Sequence, residues 1–551
     1  MNAATAGAER SPVSGSAQPA TATLVAHYSR SMGAVSAASP AQLSATTSDE
    51  NSRHRLDAAR YAAVKSEAKN SAPHADGASE RSHDPLSASF AGMQSSAAIC
   101  PPVGCNPPDM AVAASPKWIF QGVNTSFAVL DRSGVVQAGW PKFAGDFFGV
   151  PNPGACAGNV AFMSDPRAIY DATDDRFVAA SLEIEGALGV NSCPFATRYW
   201  IAVSQTNDPR GAWNVYEFDM SLGTTNTADF TMIGIDDQGV YFSANMFTQA
   251  GDAYSYAEVF GANKAKMERG QSVVASGFFN LTVTGPAGTF LVDTVQPVVT
   301  LSDNERSRGE YFINSFNGFD PVSNHGCSSA ADSCSGLATW QFTGVGRHAP
   351  KLDFAYVANT KAYSFAPSAD QPTCNQCIDT NDLRISATPV YRDGVISAAW
   401  ETGIDNGSQV VAGIVWSQVV PSSSDEGLGK AVQVQGGYFN LGGDDAVLYP
   451  ALMPGRDGSL SMVFDHMGAT TNPEVRLTSR RAGRSFQAPG LLVKAGEGPY
   501  RPTRCGLGIP VCRWGDYSAT SYDGDGWWFA GQYANAVTSF SRNWGTWIGA
   551  L

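Results

Sequence analysis

The sequence predicts an all-β protein: a single β-propeller of about seven four-stranded blades, with six as the alternative, preceded by a disordered N-terminal tail. Three observations lead there. From Lys117 onward short β-rich runs alternate with turn signals, and almost nothing follows a helical period. Those runs recur as strand–turn–strand units. The chain also holds 56 Gly and 31 Pro with 11% aromatic residues, which disfavours both a mainly helical fold and disorder throughout.

The clearest units are "SFAVLDRSGVVQAG", "AIYDATDDRFVAASLE", "MIGIDDQGVYFSANMF", "TPVYRDGVISAAWE", "ALMPGRDGSLSMVFDH" and "SATSYDGDGWWFAGQY", with turns near residues 133, 173, 238, 393, 457 and 524. Each sets Asp beside Gly or Asp between two β-rich runs, the strongest short-range hairpin signal. A weaker unit, "GEYFINSF…LATWQFTGV", fills the gap around 315–340. After the first interval the spacing is roughly 65–80 residues, room for about four strands per period. Strands such as "YWIAVSQT", "WNVYEFDM" and "VVAGIVWSQVV" lie between the hairpins. One such sheet cannot bury both faces, whereas sheets stacked radially can. The rival, a pair of β-sandwiches, requires a Pro/Ser linker near the middle, and the stretches at 345–375 and 420–430 are short.

The composition places the domain boundary. All 12 Trp lie at or beyond Trp118, all 10 Cys at or beyond Cys100, and Phe90 is the first Phe. Residues 1–98 are an Ala/Ser-rich tail with too little apolar surface to offset chain entropy, and residues 99–551 form the propeller. Within the tail, "SDENSRHRLDAARYAAVKSEAK" offers one short helix capped by Ser48, either free at the surface or a pro-segment docked on the main domain. The first residues show neither the basic start nor the apolar run of a secretory signal, which leaves signal removal, another export route and an internal location open.

The net charge of −14 argues against nucleic acid and anionic membrane as partners, and no apolar run is long enough to span a bilayer. The cysteines fall into neighbouring pairs: Cys100/Cys105, Cys156/Cys193, Cys327/Cys334, Cys374/Cys377 and Cys505/Cys512. Local staples in polar loops fit an oxidising, extracellular or periplasmic compartment. For Cys374-x-x-Cys377, a redox or zinc site lacks its βαβ context or its second ligand pair.

The segments "PPDMAVAASPKWIFQGVNTSFAVLD", "SDPRAIYDATDDRFVAAS", "WIAVSQTNDPRGAWNVYEFD" and "RWGDYSATSYDGDGWWFAGQYA" resemble a group of bacterial secreted β-propeller-like proteins with no agreed activity. The resemblance covers roughly 105–551 and implies a propeller outside the cytosol, without assigning catalytic residues. A second resemblance is to the Asp-box of sialidase-like propellers. Ser479, Gly483, Ser485 and Phe486 match it, and Arg481 stands where Asp belongs. Such boxes are structural and say nothing of catalysis.

No H-E-x-x-H, G-x-S-x-G or P-loop motif is present, and nothing flags a nucleophile for a triad with His325, His348 or His466. What remains is acid, base and aromatic residues ahead of β runs: Asp165 and Arg167 in "DPRAIYDATDD", and Arg513, Asp516 and Tyr517 in "CRWGDYS". In a propeller such positions face the central funnel, and two blades could aim them at one opening. Carboxylates with Arg and aromatics suit a sugar pocket, with two carboxyls sharing acid and base work; Arg–Asp pairs that lock blade to blade are the competing reading. Asp171, Thr173 and Asp175 resemble half of a calcium loop without its distal Glu, so no cofactor is expected beyond a weak calcium candidate. Two functions follow. One is a secreted binding module, expected to be a monomer, with a glycan or protein ligand at the funnel. The alternative is a sialidase-like glycoside hydrolase or lyase using the Arg/Asp/Tyr set.

Overall fold

The computed structural model describes residues 13–37, 53–73, 86–96, 99–100, 106–150, 162–184, 197–248, 253–301, 309–347, 349–372, 374–424, 427–501, 511–536 and 543–551. Among them the chain makes successive four-stranded antiparallel meanders, called blades here. Blade 1 spans 111–143, blade 2 162–219, blade 3 227–285, blade 4 296–357, blade 5 390–439 and blade 6 446–494. Blade 7 comprises Ala519–Tyr522, Trp527–Ala534, Trp544–Ala550 and, on its outer edge, Ala88–Gln94. The innermost strands neighbour one another in chain order, and that of blade 7 lies beside Ala111–Ala114 of blade 1. Val299 pairs in parallel with Ile235 and with Val390, tying blades 3, 4 and 5 together near the axis. The protein is an all-β propeller, and two separate sandwiches are not what these strands build.

Turn chemistry explains why the hairpins were visible. The turns after Asp171, Ile235, Arg392, Pro454 and Tyr522 join the innermost strand of a blade to its second strand. Asp393 and Asp175 adopt positive φ, which Asp tolerates better than most residues. The unit near residue 133 is different: it follows the third strand of blade 1, Ser126–Asp131, so its interval to the next turn is short. Between blades the faces pack through aromatics. Phe120 meets Phe127, Trp140, Phe147, Phe177 and Trp213 at centroid distances of 5.2, 6.1, 5.7, 6.2 and 5.3 Å.

The expected disordered tail is corrected by three elements. Ser14–Ser31 is an 18-residue strand wedged between two blades. Its Thr23–Ser31 half pairs with Ala212–Asp219, and its Ser14–Ala22 half pairs with Ala275–Thr284. Small Ala, Ser and Thr side chains bury little, but each half of the strand pairs with the outer strand of a blade, so ladder bonds replace the missing apolar area. Ala88–Gln94 completes blade 7 from the other end of the chain. The helix runs over Ala58–Ala68 and is capped by Asp57, whose side chain accepts the Arg60 N–H at 2.9 Å. Ser48, the expected cap, lies outside the described residues.

Disulfides join Cys327 to Cys334 and Cys374 to Cys377. Cys100 and Cys512 are also disulfide-bonded. Cys105, Cys156, Cys193 and Cys505 lie outside the described residues, and so do the pairings expected for them. No described helix is long and apolar enough to cross a membrane.

Candidate functional site

The innermost strands share a local device that turns side chains toward one end of the central channel. Asp165, Phe230 and Tyr449 take φ of 49°, 51° and 50° at bulges in the inner strands of blades 2, 3 and 6. Asp109 (39°) and Thr294 (51°) do the same just ahead of the inner strands of blades 1 and 4. A non-glycine residue in this region is strained and persists only where its surroundings hold it. Here the preceding blade does so. Asn124 accepts the Asp165 N–H at 2.9 Å, Asn245 accepts the Thr294 N–H at 2.7 Å, and Glu401 accepts the Tyr449 N–H.

The five residues singled out in the sequence come together at this end, and all are buried or nearly so. Arg513 pairs with Asp516. The Arg167 guanidinium lies 3.6 Å from the Tyr517 ring centroid and donates to the Thr231 carbonyl at 3.1 Å. Tyr517 donates to the Pro166 carbonyl at 3.2 Å, and Asp165 accepts the Thr231 N–H at 3.0 Å. Asp109, which sequence reasoning missed, links the two halves. It accepts the Asp516 N–H at 2.8 Å and the Asn124 amide at 2.7 Å. Burial, then the charge of Asp516, pushes the Asp109 carboxyl well above the usual carboxylate range.

Arg384 and Asp382, also missed, extend the cluster from the loop ahead of blade 5. Two guanidinium nitrogens of Arg384 donate to the Asp382 carboxylate at 2.7 Å each, and Arg384 lies 4.6 Å over Phe230. Burial alone would raise Asp382, but Arg384 and His54 outweigh it and hold the carboxyl well below its ordinary value. Asp229 faces Arg53, Arg513 and Arg384. The chain segment 53–72 covers the Asp382 and Arg384 side of the group. His54 contacts Asp382 at 3.0 Å and stacks on Tyr61 at 3.8 Å between ring centroids. Arg55 donates to the Asn317 carbonyl at 2.9 Å and lies 3.7 Å from Asp293.

Two small cavities line the channel beneath. One is bordered by Arg167, Tyr517, Ile233 and Thr388, the other by Tyr170, Leu301, Met453 and Tyr522. Each measures about 30 Å³, far below the several hundred Å³ of a small-molecule site.

The calcium candidates are engaged by protein groups. Asp171 takes the Lys264 ammonium at 2.5 Å, and Asp174 takes it at 2.7 Å, with Glu268 close by. Lys264 thus supplies the positive charge at this group. Thr173 donates its backbone N–H to Asp171, while Asp175 accepts from Tyr170 and Asn207 at 2.7 Å each. Asn124 is buried in the site, and His466 is enclosed by Glu474 and Asp445 at 2.8 and 3.1 Å.

No family model and no curated protein sequence matches the chain. Among solved structures it is similar to an α-L-arabinanase mutant of Cellvibrio cellulosa, at 9% identity and a TM-score of 0.29, covering 69% of this chain and 93% of that one. It is similar to the Hadza microbial sialidase Hz136, at 9% identity and a TM-score of 0.31, covering 79% and 74%. It is also similar to Trypanosoma rangeli sialidase with sialic acid, at 10% identity and a TM-score of 0.31, covering 70% and 54%. At those scores the likenesses carry no argument. The class rests on strand pairing and on the ring of inner strands: a β-propeller with a charged, covered channel end.

Proposed function

We propose that the protein is an extracellular binding module whose ligand, a glycan or a protein segment, is received at the charged end of the channel. The observation that carries this is that Asp165, Arg167, Arg513, Asp516 and Tyr517 are all engaged by neighbouring protein groups, next to a cavity of only about 30 Å³. Hydrolysis of a glycoside needs two carboxyls flanking the bond, with an open sugar subsite between them. The disulfides Cys327–Cys334 and Cys374–Cys377 support the oxidising compartment.

One observation favours the alternative, a glycoside hydrolase or lyase. Burial and the charge of Asp516 push the Asp109 carboxyl well above its ordinary range, and a carboxyl raised in this way is what acid catalysis uses. A glycan array combined with a panel of chromogenic glycosides separates the readings. Binding without turnover is expected. Turnover lost in Asp165→Asn and Asp516→Asn, each melting like the wild type, would establish the enzyme.

A further inference from the structure

We infer that the channel end is a receptor for a basic, helix-forming peptide, and that residues 53–72 are its resident, displaceable occupant. This rests on the binding-module reading and names the ligand class.

The segment is attached unlike the rest of the chain ahead of the blades. Ser14–Ser31 and Ala88–Gln94 are built into ladders, whereas residues 53–72 join no sheet. Their contacts are those of a bound peptide. Arg384 donates to the Arg53 carbonyl at 2.9 Å, and Arg53 donates to Thr227 at 3.2 Å. His54 rests on Asp382, and Arg55 lies 4.3 Å over the Phe319 ring. Further along, Tyr61 donates to Asp379 at 2.8 Å and Lys65 donates to the Asn381 carbonyl at 2.8 Å. Only Val64 and Ala68 of the helix are fully buried, on the apolar cluster that includes Phe365 and Ile385.

Charge sets the ligand class. Residues 53–69 carry five Arg or Lys against two acids in a chain whose net charge is −14. The surface beneath presents Asp229, Asp293, Asp379 and Asp382. A basic segment with an Arg-His-Arg start and one apolar helix stripe matches that surface in both charge and shape.

The test uses a fluorescent synthetic peptide of residues 53–72 and the full chain, wild type or Val64→Asp. The substitution puts a charge into the apolar seat of the helix and leaves the funnel residues unchanged. The variant is expected to bind the peptide at least 100-fold more tightly than the wild type, whose site is filled, and to lose that affinity as salt rises. A Val64→Asp protein with wild-type blade melting and no peptide binding overturns the inference. So does a wild type that binds equally well.

Should the variant fail to fold, hydrogen exchange on the unaltered protein decides. Amides of 58–68 should exchange at least 100-fold faster than those of 168–170 and 451–453, and equal rates overturn displacement. Glycan binding without peptide binding ends this inference alone. Peptide binding together with glycoside turnover ends the binding-only reading and leaves the occupant in place.

Discussion

Replacing Glu401 by Gln should make the protein more stable at neutral pH and leave it unchanged in acid. Glu401 is buried in the second strand of blade 5 and accepts the N–H of the strained Tyr449 in blade 6. Burial pushes its carboxyl from 4.5 up to about 8, against the Tyr449 hydrogen bond and Lys65, which pull it down. The folded protein therefore holds a proton that the unfolded chain releases above pH 4.5. Stability falls as pH rises through this window and levels off above about 8. Each pH step inside the window removes about 1.4 kcal/mol, so reaching pH 7 costs about 3 kcal/mol. A glutamine keeps the oxygen that accepts the Tyr449 N–H and does not titrate. With about 2.1 cal/mol/K of unfolding entropy per residue, that recovery raises the melting temperature by about 2–3 °C at pH 7. Thermal melts of both proteins from pH 4 to 9 measure it. Parallel pH slopes, or a lower melting temperature for Glu401→Gln at pH 8, would refute the reasoning.

Three further outcomes follow from the packing. Millimolar calcium should leave the wild-type melting temperature unchanged, because the Lys264 ammonium already sits between Asp171 and Asp174; a calorimetric rise of several degrees would contradict this. Lys264→Met should cost about 3–5 kcal/mol in chemical denaturation, since it strands the buried Asp171 carboxylate without its partner. Trp514→Phe removes the indole N–H that donates to the buried Asp465 at 2.8 Å and opens space in a fully buried site; a loss of about 2–3 kcal/mol is expected, and a neutral result would show that the lock between blades 6 and 7 is not stabilising.

The blades were legible because their tight turns need residues that tolerate unusual backbone, and Asp393-Gly394 or Asp457-Gly458 announces such a turn without tertiary context. The strap Ser14–Ser31 was not. Its stability comes from backbone hydrogen bonds to two blades far away in sequence, and Ala, Ser and Thr read as disorder when only side-chain burial is counted. The fourth strand of blade 7 was hidden for the same reason, with Phe90 and Met93 the only large apolar residues it offers. At the site, Asp165 and Asp516 were found because acids stand just ahead of β runs. Asp109 and Asp293 occupy the matching places before the inner strands of blades 1 and 4, so the repeat of that position was the overlooked signal. Arg384 and Asp382 were missed because the loop that carries them lies outside the strand–turn–strand units read from the sequence.

The covered channel end also constrains what uncovering it means. Asp293, Asp379 and Asp382 each have a partner on the 53–72 segment, Arg384 bonds both Asp382 and the Arg53 carbonyl, and Arg167 and Arg513 find their partners within the blades. Taking the segment away removes Arg53, Arg55 and Lys65 and leaves a net acidic surface in partly desolvated surroundings. A half-satisfied network of this kind is costly in a low dielectric. The uncovered state is therefore favourable only when water enters or another cation takes the vacated places. That favours exchange of one basic segment for another over capture of an acidic sugar, because removing Arg53, Arg55 and Lys65 leaves Asp293 and Asp379 without their cationic neighbours, and an added carboxylate would be repelled by them.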